Sequence, residues 1–184
     1  MDKKVSHGLI GEAAVYAKCW MHGIPTYFTG HLKKNFAGSD LILDTNDPRR
    51  KLWVQVKTGY PTRDHEVYLA MHREKDLTES KFTADYVVFV NLDPEVASTH
   101  THNGELDFAA FKYYIVPRDD ANRLFREALQ RKAKRPKRDG TPRKLTHGEV
   151  QAPEEDVAKY LDAWELLKPS DGKRITSKDR KNTT

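Results

Sequence analysis

The sequence reads Gly38-Ser39-Asp40-Leu41-Ile42-Leu43-Asp44 and, after a polar turn, Lys51-Leu52-Trp53-Val54-Gln55-Val56-Lys57-Thr58. The glycine and serine are typical of a turn, and the apolar run that follows Asp40 predicts a first strand over residues 40–44. Apolar and polar residues alternate in the second segment, which predicts a strand over residues 51–57 with one apolar and one polar face. Two strands joined by so short a turn can pair as a hairpin.

Three polar side chains would converge at one end of such a hairpin. Asp40 would lie opposite the end of the second strand, and Gln55 and Lys57 project from the same face of that strand because they are two residues apart. A carboxylate oxygen can hold a hard metal ion, and a second oxygen ligand shapes its site. A lysine beside them lies close to a bound phosphate. The pattern therefore predicts a site for a hard divalent metal ion.

A further motif, Gly8-Leu9-Ile10-Gly11-Glu12, lies on a helix predicted over His7–His22. Together with Ser39-Asp40-Leu41-Ile42 and Val54-Gln55-Val56-Lys57-Thr58, it resembles the motif set of the PD-(D/E)XK superfamily, the restriction-endonuclease-like nucleases. The likeness is strongest to small prokaryotic members with a helical G-x-x-G-E motif. It covers roughly residues 6–117 and rests on the joint order and spacing of the motifs, since each one alone is common.

The resemblance implies an α/β fold, a restriction-endonuclease-like mixed β-sheet flanked by helices, and hydrolysis of DNA phosphodiester bonds with Mg²⁺ or Mn²⁺ as cofactor. Asp40 would be the principal metal ligand. Glu12 would bind the same ion directly or through water, and Gln55 would be a further ligand. Lys57 would orient or deprotonate the attacking water, or stabilise the charged transition state.

Gln55 is the main departure from the family pattern, because a second acidic residue usually stands at this position. An amide oxygen can coordinate a hard cation but brings no negative charge. An alternative is therefore a weak or inactive nuclease-fold protein that binds nucleic acid or a partner. A second alternative is a Holliday-junction-resolvase-like nuclease that selects branched DNA. A third is an accessory subunit that docks through the apolar helix around Trp164.

The pattern predicts one domain over residues 1–168, with a motif core over 6–117, a helical part over 118–168 and a flexible basic tail over 169–184. Besides the first helix, it predicts helices over Arg118–Lys134 and Asp156–Leu167 and strands over Thr26–Thr29, Val67–Met71, Ala84–Asn91 and Phe111–Pro117. The apolar positions that recur at helical spacing in the first helix are Leu9, Ala13, Tyr16, Ala17 and Trp20.

The chain of 184 residues has a formal net charge of +5, which is compatible with binding to a polyanion such as nucleic acid. The basic residues that could contact phosphates are Lys33, Lys34, Arg63, Lys132, Lys134 and Arg135. The simpler interpretation is that these residues are solvated surface charges. His100 and His102 have a spacing that a metal site can use, but no third ligand is nearby in the sequence. A single cysteine, Cys19, excludes an internal disulfide and a cysteine-based zinc cluster.

No apolar run reaches membrane-spanning length, and the first residues lead into no signal-like segment. The sequence therefore predicts a cytoplasmic protein without a membrane partner. A homodimer is expected as well, since cutting both strands of a duplex needs two sites and one small domain supplies one.

Overall fold

The computed structural model describes residues 3–29, 38–45, 50–62, 65–73, 79–92, 111–136, 140–141, 145 and 147–168. Seven strands, three α-helices and two 3₁₀ turns occur within these residues. In chain order they are α1 (Lys3–Met21), β1 (Thr26–Phe28), β2 (Leu41–Asp44), β3 (Lys51–Gly59), β4 (Glu66–Arg73), β5 (Tyr86–Leu92), β6 (Phe111–Pro117), α2 (Arg118–Lys134), β7 (His147–Pro153), α3 (Glu154–Val157) and the 3₁₀ turns Ala158–Tyr160 and Trp164–Leu167.

The main sheet has five strands in the order β1-β2-β3-β5-β6. The central pair, β3 and β5, is parallel, and the other neighbours pair antiparallel. A second sheet consists of β4 and β7, which also pair antiparallel. The predicted α/β architecture, a mixed sheet flanked by helices, is confirmed.

The hairpin predicted from the motif residues is present as β2 and β3. Leu41 lies opposite Val54 in this ladder, and Leu43 lies opposite Leu52. Burial alternates along β3, with the even-numbered residues from Leu52 to Val56 buried and Gln55 and Lys57 half-buried on the other face. The strand continues to Gly59, two residues beyond the predicted end.

The main sheet packs on both faces. One face carries a core formed by α1, the even-numbered residues of β3 and the 3₁₀ turn Trp164–Leu167. The other face carries a core shared with α2 and the β4–β7 sheet. Both faces of β5 are therefore buried, as its continuous apolar sequence requires.

Helix α1 lies close to β3, and the contact is made by small residues. A methyl group on Gly11 would overlap the side chain of Thr58, and Ala14, Val15 and Cys19 are fully buried on the same side. The larger Leu9 and Trp20 are 51% and 47% exposed. The apolar spacing that predicted the helix therefore does not mark its buried face, because a close approach selects small side chains. Its start is also earlier than predicted, at Lys3.

The predicted helix over Asp156–Leu167 is wrong. Helix α3 ends at Val157, and the backbone that follows turns toward β6 instead of continuing the helix. Leu161 forms a β-bridge with Tyr114, and Asp162, at φ 49°, donates its N–H to the carbonyl of Tyr113 over 2.8 Å. Pairing with the edge of the main sheet therefore replaces helical hydrogen bonds in this segment.

Trp164 lies in the core and is 3% exposed, with its ring centroid 5.4 Å from that of Tyr113 and 5.1 Å from that of His22. A buried ring of this kind stabilises the fold and is not available to an outside partner. The accessory-subunit alternative, which needed an exposed apolar helix at Trp164, loses its basis.

Two buried asparagines join parts of the fold that the sequence keeps far apart. Asn91 accepts the N–H of Tyr68 over 2.7 Å and donates to its carbonyl over 3.1 Å, which ties β4 to β5. Asn122 of α2 does the same to Phe82, at 3.0 and 2.9 Å. Each amide satisfies both backbone groups of a buried residue.

The predicted tail over residues 169–184 lies outside the described residues. Within the described ranges, no helix combines the length and apolar composition that a membrane crossing needs.

We expect Gly11→Ala to destabilise the protein by about 1–3 kcal/mol, the usual cost of overpacking, because the new methyl group overlaps Thr58. Gly8→Ala is the matched control, since a methyl group there meets no described atom within 4 Å. It should stabilise α1 by roughly 0.5–1 kcal/mol through helix propensity. Urea unfolding of both variants measures the difference, and equal effects would contradict the proposed close approach.

Candidate active site

Asp40 is held rigidly just before β2. Its N–H donates to the carbonyl of Val54 over 2.8 Å, and its own carbonyl accepts the N–H of Thr29 over 3.0 Å. The carboxylate oxygen Oδ2 accepts the N–H of Val56 over 2.7 Å. Because β2 begins opposite Val54, this carboxylate takes the place of a strand carbonyl for Val56. Asp40 is therefore both the end of the β2–β3 ladder and a fixed acidic group.

Gln55 and Lys57 project from β3 on the face that carries Val87 and Phe89 of the neighbouring β5, which lie directly beside them in the parallel register. The amide oxygen Oε1 of Gln55 is buried, and it has no hydrogen-bond partner among the described residues. A buried polar oxygen without a partner is costly unless a ligand satisfies it. This oxygen is therefore suited to bind a cation.

Glu12 of α1 belongs to the same cluster. Burial raises the pKa of its carboxyl group from 4.5 to about 7, with a further increase from the negative charge of Asp40 and an opposing effect from Lys57. Electrostatic effects of this kind require that the three groups lie near one another. The structure therefore brings together the acidic and basic residues of three separate motifs.

Burial also lowers the pKa of Lys57, because a charged ammonium loses hydration inside the protein. The negative charges of Asp40 and Glu12 oppose this decrease, and the positive charge of Lys81 adds to it. Lys81, which the sequence did not indicate, is near enough for its charge to act on Lys57. It precedes β5 and lies 24 positions beyond Lys57, outside every motif.

The donor set fits a hard divalent cation. The two carboxylates of Glu12 and Asp40 influence each other, and Gln55 contributes a buried amide oxygen two residues before Lys57 on β3. Oxygen ligands of these kinds are those that Mg²⁺ and Mn²⁺ prefer. The described residues contain no group of three or more His, Cys, Asp or Glu side chains that could hold a metal. A site here therefore depends on the amide of Gln55 as its third protein ligand.

Two of the basic residues predicted to bind nucleic acid contact the β4–β7 sheet. The ammonium of Lys132 donates to the carbonyl of Glu149 over 2.6 Å, and Arg135 lies 3.7 Å from the carboxylate of Glu66. Lys134 is exposed at the end of α2. These contacts connect the end of α2 with β7 and β4, so a structural role accounts for two of the three residues. Their binding to nucleic acid stays a prediction.

Several sequence features lie outside the described residues. They are the candidate phosphate contacts Lys33, Lys34 and Arg63 and the pair His100 and His102. Cys19 is fully buried, and burial raises the pKa of its thiol to about 11, which makes it a poor nucleophile at neutral pH.

The overall fold was compared with those of known proteins. No protein-family model matches the chain, and no curated protein sequence matches it. A solved structure, that of the bacterial homing endonuclease I-Ssp6803I, is similar with a TM-score of 0.50 over 91% of this chain and 92% of that one. The chain shares its fold with this endonuclease. The two sequences are 16% identical, so the likeness concerns the fold alone.

We expect Glu12→Gln to stabilise the metal-free protein at pH 8. In the unfolded chain this carboxyl group ionises near pH 4.5, whereas the folded site holds its proton up to about pH 7. The folded state therefore loses stability as the pH rises through this window, and the loss persists above it. The amide removes the loss. Solvent screening at this half-buried group leaves about 1 kcal/mol of it, so Tm in EDTA at pH 8 should rise by about 2–4 °C.

At pH 4 the two proteins should unfold at nearly the same temperature, since Glu12 is then neutral in both states. Glu165→Gln, at an exposed position, serves as the control and should leave Tm unchanged at both pH values. A lower Tm for Glu12→Gln at pH 8 would show that the charged carboxylate stabilises the site.

Proposed function

We propose that this protein is a metal-dependent nuclease of the PD-(D/E)XK type that hydrolyses DNA phosphodiester bonds. The observation that carries the proposal is the electrostatic cluster of Glu12, Asp40 and Lys57 beside the β2–β3 hairpin, on the strand that also carries Gln55. Its support is the fold shared with a homing endonuclease and the order of the motifs in the sequence.

Asp40, Glu12 and Gln55 would hold Mg²⁺ or Mn²⁺, which when bound supplies positive charge to the phosphate and activates water. Asp40 is the group best placed to anchor the ion, because its backbone and one carboxylate oxygen are already fixed. The raised pKa of Glu12 means that it loses a proton when it becomes a ligand near neutral pH. Metal affinity should therefore increase as the pH rises through about 7.

Lys57 would act at its Nζ atom. Burial favours the neutral amine, which can accept a proton from the attacking water, and the neighbouring carboxylates favour the ammonium, which stabilises negative charge on the phosphate. The balance between these forms depends on Glu12, because the negative charge of its carboxylate opposes the decrease in the pKa of Lys57. Proton transfer at Lys57 and ionisation of Glu12 are thus coupled.

A second candidate is a nuclease-fold protein that binds nucleic acid or a partner with little or no cleavage. Gln55 favours it, since an uncharged ligand weakens metal binding relative to a carboxylate. Calorimetry with Mg²⁺ and Mn²⁺ separates the candidates. A nuclease binds the ion, and Gln55→Glu should bind it more tightly, whereas a binding protein need not bind it at all.

We expect Lys57→Ala to reduce cleavage by at least about 100-fold, the typical contribution of a positioned acid–base group. Lys51→Ala is the matched control. Lys51 lies on the same strand and the same face, but it is exposed and forms an ion pair with Asp44 at the far end of the hairpin. The assay measures cutting of supercoiled plasmid, a four-way junction and single-stranded DNA with Mg²⁺ or Mn²⁺.

A strong preference for the junction would identify a Holliday-junction-resolvase-like enzyme, and cutting of the plasmid would indicate a duplex endonuclease. Equal losses in Lys57→Ala and Lys51→Ala would contradict the assigned role of Lys57. If the folded wild-type protein cuts none of the substrates, the proposal of a nuclease fails and the binding candidate takes its place.

We further propose that the active form is a homodimer. The described residues contain one cluster of this kind, and cutting both strands of a duplex at one place requires two. Light scattering of the purified protein should give about twice the chain mass of 21.2 kDa. A monomeric mass at the concentration that produces double-strand breaks would contradict the dimer without affecting the assignment of the site.

A further inference from the structure

We propose that Lys81 is a second phosphate-binding lysine of this site and holds the DNA backbone next to Lys57. The proposal rests on the proposed nuclease function and adds a substrate contact to it. Sequence motifs assign no role to Lys81, and its place in the fold is the basis of the inference.

The backbone beside Lys81 is fixed from the α2 side. Both backbone groups of the adjacent Phe82 are bonded to the buried amide of Asn122, at 3.0 and 2.9 Å. The Phe82 ring is 1% exposed and packs edge-on against Phe125, with the ring centroids 5.6 Å apart. Lys81 is therefore held by a well-packed anchor, although it belongs to a connection between two strands.

The same segment is fixed from the side of the active site. Thr83 lies against Gly38, so close that a side chain at this glycine would overlap its hydroxyl group, and Gly38 adopts a φ of 86° in the turn that leads to Asp40. Asp85 accepts the N–H of Trp53 over 2.9 Å. The segment from Lys81 to Asp85 thus lies along the Asp40 turn and the β3 strand that carries Lys57.

Ring packing links the residue next to Lys81 with the strand neighbour of Lys57. The Phe82 ring lies 5.7 Å from that of Phe89, measured between centroids, and Phe89 is directly beside Lys57 in the β3–β5 ladder. The positive charge of Lys81 is accordingly one of those that act on Lys57. Its ammonium lies 5.7 Å from the centroid of the Phe125 ring, which helps to fix its position.

The like charge of Lys81 adds to the effect of burial, which lowers the pKa of Lys57. A DNA phosphate beside both ammonium groups would gain two charge-assisted contacts. Lys57 would serve the phosphate that is cut, and Lys81 would bind the backbone beside it. Because Lys81 contacts substrate in the ground state and the transition state alike, its loss should affect KM more than kcat.

The experiment measures binding of a duplex DNA in EDTA across a range of salt concentrations, and cleavage with Mg²⁺ or Mn²⁺, for K81A, K81Q, K81R and K159A. Lys159 is the matched control, since it is an exposed lysine whose ammonium also lies over an aromatic ring, 4.8 Å from the centroid of Tyr160. Thermal unfolding verifies that each variant is folded, and K81Q keeps the length of the side chain if K81A does not fold.

We expect K81A and K81Q to raise Kd and KM by about 10-fold and to lower the salt slope of log K by roughly 0.9, the value for one lost phosphate contact. K81R should retain most of the affinity, and K159A should behave like the wild type. Unchanged Kd and salt slope in folded K81Q would overturn the role of Lys81, even where the wild-type protein cleaves DNA and Lys57→Ala does not.

The two proposals fail in different ways. A wild-type protein that binds DNA through Lys81 but does not cut it would overturn the nuclease and leave the phosphate site intact. A protein that neither binds nor cuts DNA would overturn both.

Discussion

The hydrogen bond from the N–H of Val56 to the carboxylate of Asp40 sets the register on which the site depends. It lies next to the last backbone pair of the β2–β3 ladder, so the side-chain carboxylate of Asp40 takes the place of a backbone carbonyl there. Strand β3 then pairs with β5 in parallel, which places Gln55 and Lys57 beside Val87 and Phe89. A shift of one residue in this register would turn Gln55 and Lys57 into the core that α1 covers and move Leu52, Val54 and Val56 to the opposite face of the sheet.

Helix α1 brings the remaining acidic group to this strand through close packing. Gly11 permits the contact with Thr58, and the next residue is Glu12. A helix held farther away by larger side chains would leave its carboxylate outside the cluster. The desolvation that raises the pKa of Glu12 is thus a consequence of the same contact, and local packing determines both the position and the chemistry of this group.

The sequence predicts the parts of the fold that depend on short-range patterns. The β2–β3 hairpin and α2 follow from alternation and helical spacing within a few residues, and the three motif groups Glu12, Asp40 and Lys57 do lie together. The buried face of α1 could not be predicted in this way, because Leu9 and Trp20 are larger than Gly11 and Ala14, which pack against the sheet. Strand β7 was missed, since only Val150 and Ala152 of its alternating residues are buried and apolar.

Long-range pairing explains the other differences. The segment after α3 has helical spacing, yet Leu161 pairs with Tyr114 across a separation that no local pattern reveals. Lys81 is likewise placed by Asn122 and Phe89, which are distant in sequence. Such contacts depend on the assembled core, and a single sequence contains no signal for them.

The pairing of Leu161 and Asp162 with β6 also affects how the protein can associate with other copies of itself. It covers part of one edge of the main sheet, and the opposite edge is formed by β1, which has three residues. Exposed strand edges are the usual templates for intermolecular β-sheet growth, and short or covered edges prevent it. In the part of the chain that the structure describes, short or partly covered edges therefore limit backbone pairing between copies of the main sheet.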